Sequence, residues 1–308
     1  HRPILYFKSM FKNPQQMLED VKEYTEDINR GSLITMLEQN QFPVGRAAMT
    51  GFKLFLDELN KLPVTVLAES GNVKLFLRQS IQGANFRTVR PNWIIHSPVT
   101  MLDTNSNHTF ALSQIDFPVG YPCAYPSKVC NTWEALKRKP IFFIEADVNY
   151  TKQHPLDQPS FTNKRVFINN IHLENKGYEV IRVIGGYYYE IYAQHPLLNL
   201  SVFLYNYRSR FPVIKKILNT MYGMLIEKPF ETLRKNSQNL TELRTNPLIK
   251  SYEQVDEHNI VYEYYNDVDF RYNYTAITSL MLARQQISIL NYCLFCKEIG
   301  RASCRERV

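Results

Sequence analysis

The chain reads as an α+β fold, and three observations predict it. Apolar residues recur at three-to-four spacing near the N-terminus, alternating β-rich runs fill the middle, and apolar helical patterns return in two later stretches. With 308 residues and a 44% apolar fraction, the chain is long enough for one large domain or two smaller ones.

In order, residues 1 to 62 are helical. Leu18, Val21, Tyr24, Ile28, Leu33, Met36 and Leu37 keep the helical period, and Phe52, Leu54, Phe55 and Leu59 mark a second helix. From Leu75 an apolar strand runs into a Gly83-Ala84 corner followed by Arg87. After Val99 a short apolar strand ends at Asp103, and a polar turn through Thr104 and Ser106 leads into a helix. A carboxylate at a rigid strand tip, facing a turn of small side chains, is what metal-assisted phosphoryl transfer uses. The same residues also suit a helix N-cap at Asp103 with His108 on the surface. Lys139 to Asn149 is a β-rich run. Beyond it, 166–189 gives a strand, a short helical turn and an alternating strand that ends in Tyr187 to Tyr189. Those tyrosines either stack on bases or fill a half-buried sheet. Residues 228–268 are polar and loop-rich, and Tyr274 opens a buried helix with Arg284, Gln285 and Gln286 as its polar edge.

The stretch from Phe211 to Gly223 carries the most chemistry. Lys215, Asn219 and Tyr222 recur at i, i+4 and i+7 and share one helical face, while Val213, Ile217, Leu218, Met221 and Leu225 point inward. Pro212 fits a first helical turn, and Gly223 suits close approach of a backbone or ligand. A cation, an amide and a phenol on one stripe can meet a phosphate at one end and a flat ring at the other. The plainer reading is an amphipathic helix with its lysine in water. Arg208 and Arg210, just upstream, either add phosphate contacts or are solvated charges.

A net charge of +7 and a pI near 9.0 favour a polyanion partner. Without an eighteen-residue apolar run or a signal pattern at His1-Arg-Pro, the chain is expected to be intracellular, with no membrane partner. The five cysteines form no paired framework, which fits a reducing compartment, and Cys293-x2-Cys296 lacks the second pair a zinc site needs. The Asn-x-Ser/Thr triplets follow from an Asn-rich composition. Residues 299–308 continue no pattern and resemble the translation of a sequencing adapter, so an end near Glu298 is expected.

The Phe211 to Gly223 stretch resembles the fingers signature of family B DNA polymerases, Lys-x3-Asn-Ser-x-Tyr-Gly, with Thr220 in place of the Ser. It is most similar to the protein-primed members, the phage, adenoviral and linear-plasmid replication enzymes. Asp103 and Ser106 match the family's Asp-x-x-Ser-Leu-Tyr-Pro, where Asn107, His108 and Thr109 replace Leu, Tyr and Pro. Phe117-Pro-Val-Gly-Tyr-Pro122 also fits the protein-primed group. Ile81-Gln-Gly83-Ala84 resembles the Tyr-x-Gly-Gly/Ala motif that approaches template, and a plain strand-turn is the alternative there. Asp27 falls one residue short of the third proofreading-exonuclease motif, Tyr-x3-Asp; otherwise it is a solvent-facing helix residue.

The resemblance implies a palm of antiparallel sheet plus helices with helical fingers, incomplete. It divides the chain into 1–70, the helical end of an exonuclease domain; 71–137, a palm part; 138–195, a first terminal-protein-region-like insertion; 196–230, fingers; 231–270, a second such insertion; 271–298, a palm helix; and 299–308. Asp103 and Lys215 are the implied catalytic residues, and Asp103 with Thr104 holds Mg²⁺, two ions in the complete enzyme. Ser106, His108, Arg208, Arg210, Asn219, Tyr222 and Gly223 bind the nucleotide, with His108 at the steric gate against a ribose 2′-OH. Gly83, Ala84 and Arg87 meet DNA. The implied partners are DNA template and primer, dNTP and a terminal priming protein. The Tyr-x-Asp-Thr-Asp motif has no counterpart, so the 308 residues alone are expected not to polymerise. The alternative is a decayed nucleic-acid-binding relative without catalysis.

Overall fold

The computed structural model describes residues 29–42, 45, 47–69, 71–81, 101–102, 107–153, 157–225, 230–235, 249–254, 256, 260–265, 274–296 and 303–304. The readings at Asp27, Gly83, Ala84, Arg87, Asp103, Thr104 and Ser106 lie outside the described residues.

Helix α1, Arg30–Glu38, starts at a reciprocal cap. The Asn29 side chain accepts from the Gly31 and Ser32 N–H groups, and the Asn29 N–H donates back to Ser32 Oγ at 2.8 Å. It buries Leu33 and Leu37, and helix α2, Ala47–Asn60, buries Phe52, Leu54, Phe55 and Leu59, as the spacing predicts. Full burial of a side chain such as Phe55 contributes about 1.5–3 kcal/mol.

The strand expected from Leu75 is instead helix α3, Gly71–Gln79. Val73, Phe76, Leu77 and Ser80 keep three-to-four spacing, and Leu77 and Ser80 are fully buried on the inward side. A three-residue apolar cluster fits either period, and the tertiary contact decides it.

Strand β1, Met101–Leu102, and helix α4, Asn107–Ser113, stand on either side of residues 103–106, the strand and the helix as expected. After β2 (Phe117–Val119), β3 (Cys123–Tyr125) and α5 (Trp133–Leu136) come the long strands β4 (Ile141–Tyr150), β5 (Phe161–Asn169) and β6 (Tyr178–Tyr189). They form an antiparallel sheet in the order β3-β6-β4-β5. The β4 sequence runs apolar because both faces are covered. Ile141 and Phe143 point into the helical core, while Phe142, Ile144, Ala146 and Val148 point into a second core with Leu136, Ile168 and Tyr188. Gly186 is required where β6 crosses β4, since a Cβ there would lie 2.2 Å from the Phe143 carbonyl. Tyr188 and Tyr189 are buried, and Tyr187 meets Phe76 edge-on, so these tyrosines fill a sheet.

Strand β7 (Ile191–Ala193) pairs with β2 and leads to helices α6 (Leu198–Tyr207) and α7 (Pro212–Met221). The region read as loop-rich holds strands β8 (Phe230–Lys235), β9 (Ile249–Gln254) and β10 (Ile260–Tyr265), an antiparallel sheet in the order β8-β10-β9. Strands β8 and β9 are too polar to stand out, whereas β10, Ile-Val-Tyr-Glu-Tyr-Tyr, has the composition of a strand. Helix α8, Thr275–Cys296, is buried along Ala276, Ile277, Leu280, Met281 and Ala283. Strand β11, Ser303–Cys304, pairs parallel with β1.

The four-stranded sheet is fastened at its base to α8. Asn169 Nδ2 donates to Ser279 Oγ at 3.0 Å, Ser279 Oγ lies 2.7 Å from Ser80 Oγ, and Arg284 grips Glu174 with two bonds of 2.5 and 2.7 Å.

Candidate nucleotide site

Helix α7 forms because one of its faces is apolar at helical spacing. Ile214, Ile217, Leu218 and Met221 are fully buried, and Ile214 rather than Val213 fills the first turn. Burial of that face leaves Lys215 and Asn219 exposed on the other, with Tyr222 half-buried at its end. From Lys215 to Tyr222 the helical rise covers about 10 Å, the scale of one nucleotide. α2 packs along the buried face, and Gly51 permits the approach: a Cβ there would sit 3.0 Å from the Ile217 carbonyl and 3.1 Å from Met221 Cβ.

Helix α4 meets the other side of α7. The His108 ring stacks on the Tyr222 ring with centroids 4.0 Å apart and planes 23° apart. Thr109 Oγ1 faces the Leu218 carbonyl at 3.5 Å. The helix that follows Asp103 therefore lies against the helix that carries Lys215 and Asn219. Residues about 110 positions apart in sequence are brought together.

Burial pushes the His108 imidazole toward its neutral form, while a polar contact with the Gln285 side chain acts in the opposite direction. Gln285 is only 2% exposed, and sequence reasoning placed it at a polar edge. Its signal was its place on the Ile277–Met281–Gln285 stripe, where the two preceding members are fully buried. Arg284, its neighbour, turns instead to Glu174.

Other expected site residues fall as follows. Arg208 lies over the Tyr205 ring at 5.0 Å, and Arg210 pairs with Glu38 at 3.2 Å while covering Phe211. Both occupy the approach to α7, partly engaged by protein. Among the described residues, no atom beyond its chain neighbours lies within 4 Å of a Cβ built at Gly223. Among the described residues, no group of three His, Cys, Asp or Glu could hold a metal ion, and no helix is long and apolar enough to cross a membrane.

The mixed arrangement of helices and antiparallel sheet, with α4 and α7 packed together, is a polymerase-like fold. Solved structures of phi29 DNA polymerase share that overall fold. The chain resembles that enzyme's complex with primer-template DNA and incoming nucleotide at a TM-score of 0.56, with 13% identity over 86% of this chain and 48% of that one. For its complex with single-stranded DNA the values are 0.52, 14%, 85% and 47%, and for its binary complex with primer-template DNA 0.50, 15%, 85% and 47%. The chain spans about half the length of these structures. No protein-family model and no curated protein matches it.

Proposed function

We propose that this chain is the nucleotide-selecting part of a template-directed DNA polymerase of the family B, protein-primed kind. The observation that supports it most is the His108–Tyr222 stack, which joins the helix after Asp103 to the stripe of Lys215 and Asn219. In the proposed reaction a primer hydroxyl attacks the α-phosphate of a dNTP and pyrophosphate leaves; at initiation the hydroxyl belongs to a side chain of a terminal protein. Lys215, exposed near the start of α7, offsets triphosphate charge, with Arg208 and Arg210 upstream of it. Asn219 and Tyr222 meet the nascent base pair, and His108 bounds the sugar. Among the described residues nothing crowds Gly223, which suits a ligand's approach. Gly83, Ala84 and Arg87 are assigned to template, and the basic balance of the chain to DNA phosphates.

Between the end of β1 at Leu102 and the start of α4 at Asn107, the sequence carries the carboxylate of Asp103 and the hydroxyl of Thr104. Both are oxygen donors of the type Mg²⁺ takes, and that ion supplies charge neutralisation on phosphate when bound.

The test is fluorescence titration of the 308-residue chain with mant-dATP and Mg²⁺. Lys215→Ala is expected to weaken binding by about 10-fold or more, the worth of a charge-assisted hydrogen bond. Equal affinity in wild type and variant would overturn the assignment. DNA binding with no nucleotide binding would favour the decayed, non-catalytic relative.

A further inference from the structure

Glu69 is a buried acid outside the nucleotide stripe, 7% exposed, at the end of the segment between α2 and α3. Its carboxyl accepts from the first backbone N–H groups of α8, Thr275 at 2.7 Å and Ala276 at 3.3 Å. From β6, the buried Tyr189 hydroxyl meets it. The α8 side offers only backbone N–H groups, and among the described residues no lysine, arginine or histidine acts on it. Glu58, near the end of α2, pairs with both Lys61 and Arg30.

The same turn of α8 is wired to the nucleotide stripe. The Tyr274 N–H donates to the Leu225 carbonyl at 2.9 Å, and the Leu225 N–H donates to the Tyr222 carbonyl at 3.0 Å. A short run of backbone hydrogen bonds thus separates Glu69 from the ring that stacks on His108.

We propose that the Glu69 carboxyl is a proton-operated latch on the first turn of α8 and, through Leu225, a positioning residue for Tyr222. Burial raises this carboxyl to a pKa of about 8, so near-physiological pH decides its charge. Protonated, it donates to Tyr189 Oη and accepts from α8. Ionised, it accepts from Tyr189, from its own N–H and from both α8 N–H groups, but burial without a cationic partner among the described residues outweighs these bonds and draws the carboxylate toward water, away from the helix turn. Loss of the proton therefore loosens the turn that holds Tyr222. The effect on nucleotide rests on the proposed polymerase reading; the latch itself does not.

Two measurements separate them. The first is ¹³C NMR of the Glu69 carboxyl in the intact chain, with Tyr189→Phe to identify the signal by its displacement. A midpoint near pH 8 is expected, and a midpoint in the ordinary carboxylate range would overturn the latch whatever the chain binds. The second is mant-dATP affinity with Mg²⁺ against pH. Wild type is expected to lose at least about fivefold across pH 7 to 9, while Glu69→Gln stays flat. A raised midpoint with parallel profiles would remove the positioning role alone, and a raised midpoint with no nucleotide bound by any form would sink the polymerase reading and leave the latch standing.

Discussion

Gly51→Ala sets two effects of known sign against each other. Gly51 lies inside α2, where alanine is the better helix former by about 1 kcal/mol. By propensity alone the variant is stabilised. The structure opposes this, because the new methyl meets the Ile217 carbonyl at 3.0 Å, Met221 Cβ at 3.1 Å and Ile217 Cγ2 at 3.3 Å. Ordinary contact begins at 3.4 Å. Backbone on both sides must yield, so α2 and α7 part by about 0.4 Å, and overpacking of this kind costs about 1–3 kcal/mol. Net destabilisation of about 1 kcal/mol is the expected outcome.

Urea unfolding measures it, with Gly31→Ala as the control. That methyl has only Asn29 Oδ1 near, at 3.4 Å, so the control is neutral or gains up to about 1 kcal/mol. If Gly51→Ala gains stability as the control does, the close approach of α2 to α7 is wrong. Since α7 carries Lys215, Asn219 and the approach to Tyr222, mant-dATP affinity falls together with stability. A stability loss with unchanged affinity would place the nucleotide elsewhere.

Other expectations follow from the same geometry. Gly186→Ala puts a methyl 2.2 Å from the Phe143 carbonyl, so it costs at least about 3 kcal/mol by urea unfolding, whereas Gly185→Ala, with its nearest contact at 3.6 Å, is tolerated. His172 is buried at 3% exposure, and burial lowers its pKa to about 4. Above pH 6.5 folded and unfolded chains are both neutral there. As pH falls from 6.5 to 4 only the unfolded chain takes the proton, so stability drops by roughly 3 kcal/mol across that window. In His172→Asn, which keeps an acceptor for the Asn169 N–H, the acid limb is shallower; identical limbs would refute the burial argument.

The sequence made some of this legible and hid the rest for physical reasons. The stripe of α7 was readable because its buried face alternates with its exposed face at helical period, and β4 because Lys139 to Asn149 is a β-rich run whose second half alternates. Helix α3 was misread since Leu75-Phe-Leu satisfies both periods. Strands β8 and β9 were missed because Glu231, Arg234, Lys250 and Glu253 mask any alternation. Glu69 stands between Ala68 and Ser70 in a segment with no period at all. Its meaning arises only when α8, more than two hundred residues later, aims two N–H groups at it.

Helix α8 then has a larger part than an apolar filler. Its first turn is held by Glu69 and bonded to Leu225; its next turn, at Ser279, is tied to Asn169 and Ser80; further on, Arg284 grips Glu174 while Gln285 meets His108. Both rings of the stack are therefore supported by this one helix, Tyr222 through Leu225 and His108 through Gln285. The base of the four-stranded sheet rests on the same helix. A helix seated by polar contacts at several turns cannot slide or rotate without breaking some of them. The spacing of the His108–Tyr222 stack is consequently a property of how α8 is seated, and changes at Glu69, Ser279 or Glu174 are expected to reach the Lys215–Asn219–Tyr222 stripe without touching it.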